Sequence, residues 1–392
     1  MTEGPSIGND LAAFAKEVAE ALKKAKGPDF FTRRGPQERN ELRVLRRWNS
    51  HTAALLHVWG GGYFLRWKGL GTIIDPGVSF LRLFELYTNY GFQDIDMILA
   101  THDHVDHCHD LGILISLTRA FNKWGKKQKP PLDEHFLDAV VSHGVADQFA
   151  SVLTNPENGR NLSWRKALPP ASVVQASTQP GRARQGGPAS VSRKYGYKLA
   201  ALPAFHTELL GENTGMGLGI TLNGCKKKIV ISSDTALARD PSSLDAGELV
   251  RAYEGADLLI LHVGSMDEPG KPRLPQHLGS TGVVEILEGL KDKRPELVVL
   301  TEWGYEFGRN KLRGRSRFTE LVAGELQGRG CRYFAAVEGA AAPRDDATPI
   351  LPADLSLRIS LPNFKVHSER KGRLVPAGEI RAVERGALLR FE

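Results

Sequence analysis

The segment ATHDHVDHCHD, residues 100–110, places four histidines and three aspartates directly behind the apolar run DIDMILA. Imidazole nitrogens and carboxylate oxygens are the usual protein ligands of zinc and related cations. Residues two apart on an extended chain face the same way, so His102 and His104 can hold one ion together. The following turn directs Asp106 and His107 toward a second ion. A histidine-rich loop that merely caps a helix is the alternative, and four ligands at this spacing disfavour it.

Composition and cysteine content indicate an ordinary globular protein in a reducing compartment. The chain has 392 residues, of which 41% are hydrophobic and 25% are charged, and these values are typical of globular domains. Its three cysteines are too few and too widely spaced for a disulfide framework. The sequence contains neither the run of about 20 apolar residues that a membrane helix needs nor a secretory signal at its N-terminus. We therefore expect a cytoplasmic protein with no membrane contact.

The chain carries a positive balance, with a net charge of +7 at pH 7. Such a balance steers anionic ligands and suits a phosphodiester substrate, with nucleic acid as one candidate. The tract KWGKKQK, residues 123–129, and the arginines of residues 155–195 can guide a phosphate backbone. Solvated surface is the commoner role of charge runs, so both interpretations stay open. A homodimer is also left open.

The order of segments predicts an α/β sandwich with an extension at each end. Residues 1–45 form an N-terminal helical extension, because DLAAFAKEVAEALKKA has apolar side chains at helical spacing. Residues 46–340 alternate strand-like and helical runs, as an α/β catalytic domain does. Within them, residues 155–195 are rich in Gly, Pro, Ser and Arg and predict a basic surface insertion. Residues 341–392 form a C-terminal β appendage or extra strands of the sheets.

Three further motifs make residues 46–340 similar to the metallo-β-lactamase fold superfamily. They are GTIIDPG at 71–77, PAFH followed by GMGLGI within 203–220, and IVISSDT at 229–235. The resemblance implies a four-layer αββα sandwich. It also implies that Asp75 supports the ligand loop, that His206 is the third imidazole on the first ion, and that Asp234 bridges both ions. A plain turn residue, an ordinary loop histidine and a helix cap are the respective alternatives.

The later motifs follow the order of the tRNase Z-like phosphodiesterase branch of that superfamily. They are ADLLILHVGS, HLGSTG and VVLTEWG, which begin at residues 256, 277 and 298. His277 matches the residue that protonates the leaving oxygen in that branch. Glu302 stands where the branch has its last metal histidine, so either Glu302 or His262 completes the ligands of the second ion. With Glu302 this ligand set is rich in oxygen and favours manganese or iron over zinc, its members being Asp106, His107, Asp234 and Glu302.

Together these residues predict a hydrolase that uses two divalent metal ions. Zinc is the expected metal, and manganese or iron is the alternative at the second site. Ions that share Asp234 would lower the pKa of a common water and yield a hydroxide at ordinary pH. Asp106 would orient this nucleophile, and His277 would protonate the leaving group. We expect a phosphodiesterase or nuclease-like enzyme. A lactonase, amidase or thioesterase on the same site is the alternative, and the complete ligand set disfavours a metal-bearing scaffold without activity.

Overall fold

The computed structural model describes most of the chain between residues 29 and 375. The described residues are 13–14, 16–18, 20, 29–45, 61–166, 175–176, 194–206, 215–237, 246–264, 267, 277–304, 307, 314–337, 346–353, 357–370 and 373–375. The helix predicted for the N-terminal extension lies largely outside these residues. The division of the chain at residues 45 and 340 therefore stays a prediction.

Two β-sheets form the centre of the molecule. The described strands are β1 Glu41–Val44, β2 Tyr63–Trp67, β3 Leu70–Ile74, β4 Met97–Ala100, β5 Leu137–Val141, β6 Leu162–Lys166, β7 Gln175–Ala176, β8 Tyr197–Leu202, β9 Gly217–Leu222, β10 Lys228–Ile231, β11 Leu258–His262, β12 Leu297–Thr301, β13 Tyr333–Ala335, β14 Thr348–Pro352, β15 Leu357–Ser360, β16 Lys365–Arg370 and β17 Arg373–Val375. The first sheet has the order β17-β16-β15-β1-β2-β3-β4-β5-β6-β7, and the second has the order β13-β14-β12-β11-β10-β9-β8.

The described helices lie before β1 and in the connections that follow β3, β4, β5, β10, β11 and β12. The described helices are α1 Asp29–Thr32, α2 Phe80–Tyr87, α3 Val105–Cys108, α4 Leu111–Gly125, α5 His143–Gln148, α6 Ala150–Leu153, α7 Ala246–Tyr253, α8 Ser280–Gly289 and α9 Gly314–Gly328. Short 3₁₀ turns lie at Phe92–Asp94 and Lys291–Lys293. Among the described residues, none of the helices has the length and hydrophobicity that crossing a bilayer requires.

The two faces of the first sheet pack against different layers. Successive side chains of a strand point to opposite faces, and on β2 Tyr63 and Leu65 join the core shared with the second sheet, whereas Phe64 packs with α2 and α4. Apolar side chains of α7, α8 and α9 complete the core of the second sheet. The layers therefore run helix, sheet, sheet, helix, which confirms the predicted four-layer αββα sandwich.

Parallel strands with buried residues bring the site together. β10, β11 and β12 run parallel, as do β3 and β4. The residues of β11 and β12 are buried throughout, as expected for parallel strands that are covered on both faces. Since the carboxyl ends of parallel strands meet at one edge of a sheet, the residues that follow these strands lie close together.

The strands after residue 341 belong to the two sheets, and a further strand lies inside the predicted basic insertion. β14 lies between β12 and β13, and β15 to β17 continue the first sheet beyond β1, so residues after 341 contribute strands to both sheets. Inside the basic insertion predicted for residues 155–195, β6 pairs in parallel with β5. Leu162 of β6 is buried. Composition averaged over a long segment does not resolve a strand this short.

Candidate metal centre

Strand ends and the loops after them bring the predicted ligands to one edge of the sandwich. Asp75 follows β3, residues 102–107 follow β4, Asp234 follows β10, His262 ends β11 and Glu302 follows β12. Two groups of ligand atoms result, the first from His102, His104, His206 and Asp234, and the second from His107, His262 and Glu302. Within each group the ligand atoms lie within 4.8 Å of one another.

Asp234 belongs to the first group and also faces the second. Its Oδ2 atom lies 3.7 Å from Nε2 of His102 and 3.7 Å from Nε2 of His206. The same oxygen lies 3.5 Å from Nε2 of His107, which belongs to the second group. One carboxylate oxygen therefore faces both ligand groups, as a ligand shared between two ions must.

His107 is the centre of the second group. Its Nε2 atom lies 3.6 Å from Oδ2 of Asp106 and 3.7 Å from Oε1 of Glu302. Both carboxylates are buried, Glu302 completely. The structure thus brings Asp106 and Glu302 to the same imidazole, although they are distant in the sequence.

The spacing of these atoms fits metal ions. An ion with bonds of about 2.1 Å in tetrahedral geometry separates its ligands by about 3.4 Å, close to the distances around Asp234 and His107. Nε2 of His102 is buried and has no hydrogen-bond partner among the described residues. Buried carboxylates also require compensating positive charge. Nε2 of His206 lies only 2.9 Å from Nδ1 of His104, so ion binding would replace this hydrogen bond.

Asp75 supports the ligand loop through hydrogen bonds. Its Oδ2 atom lies 3.0 Å from Nδ1 of His107. The backbone N–H and the hydroxyl of Thr101 each donate to this carboxylate at 2.8 Å. Nδ1 of His107 is thereby occupied, which turns Nε2 toward the second ligand group.

Thr101 and Ser233 are site residues that sequence reasoning missed. The Thr101 hydroxyl lies 3.1 Å from Nδ1 of His102 and 2.7 Å from the Ser233 hydroxyl. These contacts orient the ring of His102 so that Nε2 faces Asp234. The signal was weak, because both residues stand beside a predicted ligand but neither is itself a common metal ligand.

Burial and neighbouring charge set the protonation of the ligands. Burial lowers the pKa of His102 well below 6.5, and burial also lowers the pKa of His104. Burial alone would raise the pKa of Asp234, but the charge of His107 and hydrogen bonds from His107 and His262 hold it well below 3.8. Neutral imidazoles and an ionised carboxylate are the forms that bind metal.

Three residues of the site adopt a left-handed backbone conformation. Asp75, Ser233 and Glu302 have φ values of 50°, 55° and 64°, respectively. Such values are uncommon outside glycine and cluster at functional sites, where the surrounding structure holds them in place. Each of these residues directly follows a strand or lies two residues beyond it. The turns thus direct the side chains out of the sheet toward the ligand groups.

His262 makes two hydrogen bonds within the protein. Its Nδ1 atom lies 2.8 Å from Oδ1 of Asp234. Its Nε2 atom lies 2.7 Å from the hydroxyl of Tyr63, a fully buried residue of the other sheet. Sequence reasoning missed Tyr63, because a tyrosine in an apolar strand is ordinarily a core residue.

His277 lies at the rim of the site. Its Nδ1 atom lies 3.7 Å from Oδ2 of Asp234, and its ring centre lies 5.1 Å from that of His206. The side chain is 24% exposed, whereas His102, His107 and His206 are buried. Gly264 makes room for it, because a Cβ atom at that position would lie 2.2 Å from Cβ of His277.

Other histidines have contacts away from the ligand groups. Nδ1 of His109 lies 2.8 Å from the carboxylate of Asp110, and the ring is 48% exposed. His135 bonds to the carbonyl oxygen of Ile95, and His367 bonds to the hydroxyl of Ser360. These side chains therefore do not contribute to the two ligand groups.

The fold and this cluster define a metallo-β-lactamase-fold hydrolase with metal-binding residues. A family model described as beta-lactamase superfamily domain matches residues 72–303, and the chain belongs to this family.

Individual relatives are more distant. The Ribonuclease Z of Chlamydia trachomatis serovar L2 is 40% identical over 55 residues, which cover 14% of this chain and 18% of that protein. The chain thus matches less than a fifth of the length of this curated relative. Yeast PDE1 aligns with a TM-score of 0.54 and 12% identity, over 82% of this chain and 99% of that chain. The metallo-beta-lactamase fold protein YhfI from Bacillus subtilis aligns with a TM-score of 0.50 and 16% identity, over 81% and 98%. At these identities the two structures show a shared fold.

Proposed function

We propose that this chain is a metal-dependent phosphodiester hydrolase that acts on nucleotides or nucleic acid through a two-metal centre. The placement of His277 carries the proposal. This imidazole lies beside Asp234 yet is partly exposed, so it can reach both the site and a bound substrate. Cleavage of the P–O bond of a phosphodiester releases an alkoxide, which needs a proton from such a group. The matched segment of Ribonuclease Z, a nuclease by name, supports the same substrate class.

The two groups of ligand atoms support a position for each ion. His102, His104 and His206 would hold the first ion, Asp234 would contribute to both, and the second would lie against Asp106, His107 and Glu302. When bound, two cations lower the pKa of a water and stabilise the charge that develops on the phosphoryl oxygens. The oxygen-rich second set favours manganese or iron there, and zinc suits the first.

The chain's own residues then have separate tasks in the reaction. Asp106 accepts the proton of the attacking water, since its carboxylate faces the second ligand group. Asp75 keeps the ring of His107 in place. His277 donates a proton to the leaving oxygen at the open side of the site.

A substrate panel tests the proposal. The purified chain, loaded with Zn²⁺ or Mn²⁺, is compared on bis-p-nitrophenyl phosphate, a chromogenic lactone and a β-lactam. We expect kcat/KM to be highest for the phosphodiester, and Asp234→Asn to abolish this activity because the shared carboxylate is lost. A clear preference for a carbonyl substrate would contradict the proposal and support the lactonase, amidase or thioesterase alternative.

A further inference from the structure

Glu302 and His262 compete for the last place among the ligands of the second ion, since both lie in the same group as His107. The distances within the group do not show which of the two residues binds the ion. The hydrogen bonds of His262 distinguish them, because each nitrogen of an imidazole either carries a proton or offers a single lone pair.

Both ring nitrogens of His262 are already engaged. Oδ1 of Asp234 can only accept a hydrogen bond, so Nδ1 of His262, at 2.8 Å, is the protonated nitrogen. Nε2 then accepts from the Tyr63 hydroxyl at 2.7 Å. The one lone pair of the ring therefore points to Tyr63 and not toward the second ion. Oε1 of Glu302 lies 3.7 Å from Nε2 of His107, and this is the spacing expected of two ligands of one ion.

We propose that Tyr63 and His262 form a positioning pair for Asp234, and that Glu302, not His262, completes the ligands of the second ion; this inference rests on the proposed two-metal function. Tyr63 belongs to β2 of the first sheet, and His262 ends β11 of the second. Both side chains are fully buried. Their hydrogen bond therefore joins the two sheets directly beneath the site. It orients the ring of His262, which holds Oδ1 of Asp234 and leaves Oδ2 for the ions.

Cobalt binding separates the two roles without any substrate. The full chain is stripped with a chelator and reloaded with Co²⁺, and the metal content, the affinity for the second ion and the visible absorption are measured. His262→Asn keeps an N–H donor near the position of Nδ1. We expect it to bind two Co²⁺ ions with the wild-type spectrum, whereas Glu302→Ala binds one. His262→Ala, which lacks the donor, should bind the second ion about tenfold more weakly than His262→Asn.

The role of Tyr63 has a matched control in the same sandwich. Tyr63→Phe should weaken binding of the second Co²⁺ about tenfold, and should have no effect when combined with His262→Ala, because Tyr63 acts through His262. Tyr197 is also buried, and its hydroxyl lies 2.8 Å from that of Thr72 in the opposite sheet. Tyr197→Phe removes a comparable contact between the sheets and should leave the affinity for Co²⁺ unchanged.

Several outcomes would overturn the assignment. They are loss of one Co²⁺ ion or a changed absorption spectrum in His262→Asn, equal effects of Tyr63→Phe and Tyr197→Phe, and independent effects of Tyr63→Phe and His262→Ala. A wild-type chain that binds fewer than two Co²⁺ ions would overturn the proposed two-metal function and this assignment with it. Failure to cleave phosphodiesters despite two bound ions would contradict only the proposed substrate class.

Discussion

The two carboxylate oxygens of Asp234 have different surroundings. Oδ2 faces His102, His206 and His107 at 3.5 to 3.7 Å, whereas Oδ1 lies 2.8 Å from Nδ1 of His262. One oxygen thus faces the ligand groups, and the other is held by His262. His277 also lies 3.7 Å from Oδ2, and it differs from the buried imidazoles in that its side chain is 24% exposed.

His277→Ala should lower kcat for phosphodiesters about 100-fold, because general acid catalysis contributes effects of this size. Its effect on metal content should be small, since the side chain is partly exposed at the rim of the site and lies outside both ligand groups. The loss of kcat in His277→Ala is compared between bis-p-nitrophenyl phosphate and a dinucleotide, which tests whether His277 donates the proton. Nitrophenolate leaves without a proton, so the loss should be smaller for that substrate.

A metal content that falls together with activity in His277→Ala would show that His277 is a ligand. An equal loss of activity on both substrates would likewise contradict its role as the proton donor.

At the scale of elements, the ends of strands and the segments beyond them set the positions of these side chains. Val263 and Leu278 pair in an isolated parallel bridge, which brings His277 beside the end of β11. Gly264 follows Val263 in the sequence, and the ring of His277 occupies the space that a side chain at position 264 would need. The position of His277 therefore depends on a glycine thirteen positions earlier in the sequence.

Gly264→Ala should displace His277, because the new Cβ atom would lie 2.2 Å from both Cβ and Cγ of that residue. We expect kcat to fall about 100-fold, as misplacement of a catalytic group by about 1 Å can cost. Kinetics and metal analysis of the single variant, and of the double variant with His277→Ala, measure the effect. The second substitution should cause no further loss.

Gly324→Ala in α9 is the matched control for this substitution, since nothing lies within 4 Å of a Cβ atom at that position. Wild-type kinetics in Gly264→Ala would mean that His277 does not need its observed position.

At the scale of the whole molecule, ligands from both sheets converge on the site, so bound ions would join the two halves of the sandwich. A ligand present at 100 times its Kd stabilises the folded state by about 2.7 kcal/mol. Removal of metal by a chelator should therefore lower Tm by about 3 °C for each ion. Calorimetry of the loaded and stripped protein measures this shift.

Asp234→Asn should show a smaller shift, because it lacks the ligand that both groups share. An unchanged Tm after complete removal of the metal would contradict a contribution of the ions to stability.

A buried charged network joins β1 and β15 in the first sheet. The carboxylate of Glu41 in β1 accepts hydrogen bonds from Arg43 at 2.7 Å, Tyr90 at 3.0 Å and Arg358 of β15 at 3.3 Å. Burial alone would raise the pKa of Glu41, but Arg43, Tyr90 and Arg358 hold it below 4.5. A carboxyl group with a lowered pKa stabilises the folded protein at pH values above its ordinary pKa. This stabilisation is lost as the pH falls through the lowered pKa.

Glu41→Gln should lower the free energy of unfolding at pH 7 by about 3 kcal/mol, because it leaves buried arginines without their carboxylate. Below pH 4.5 the wild type should lose this advantage, so the two proteins should converge. Urea unfolding at several pH values measures the difference. Glu325→Gln, which removes an exposed ion pair with Arg329, should change stability by less than about 0.5 kcal/mol. A constant difference between Glu41→Gln and the wild type at all pH values would contradict this linkage.

Features that depend on neighbouring residues were accessible from the sequence. The spacing of His102, His104, Asp106 and His107 is local, and buried parallel strands are recognisable as short apolar runs. The motifs around His206 and Asp234 marked further strand ends, and the structure brings both to the same edge. A short strand such as β6 was hidden, because the composition of the surrounding segment is typical of loops.

The proposed choice of Glu302 over His262 as a ligand depends on the tertiary structure. Both follow or end buried strands, and both are ordinary metal ligands, so no local pattern distinguishes them. The distinction comes from the hydroxyl of Tyr63, which is 199 positions from His262 in the sequence. Only the packing of one sheet on the other brings these two residues together, and the hydrogen bond across that packing engages Nε2 of His262 while Asp234 engages Nδ1.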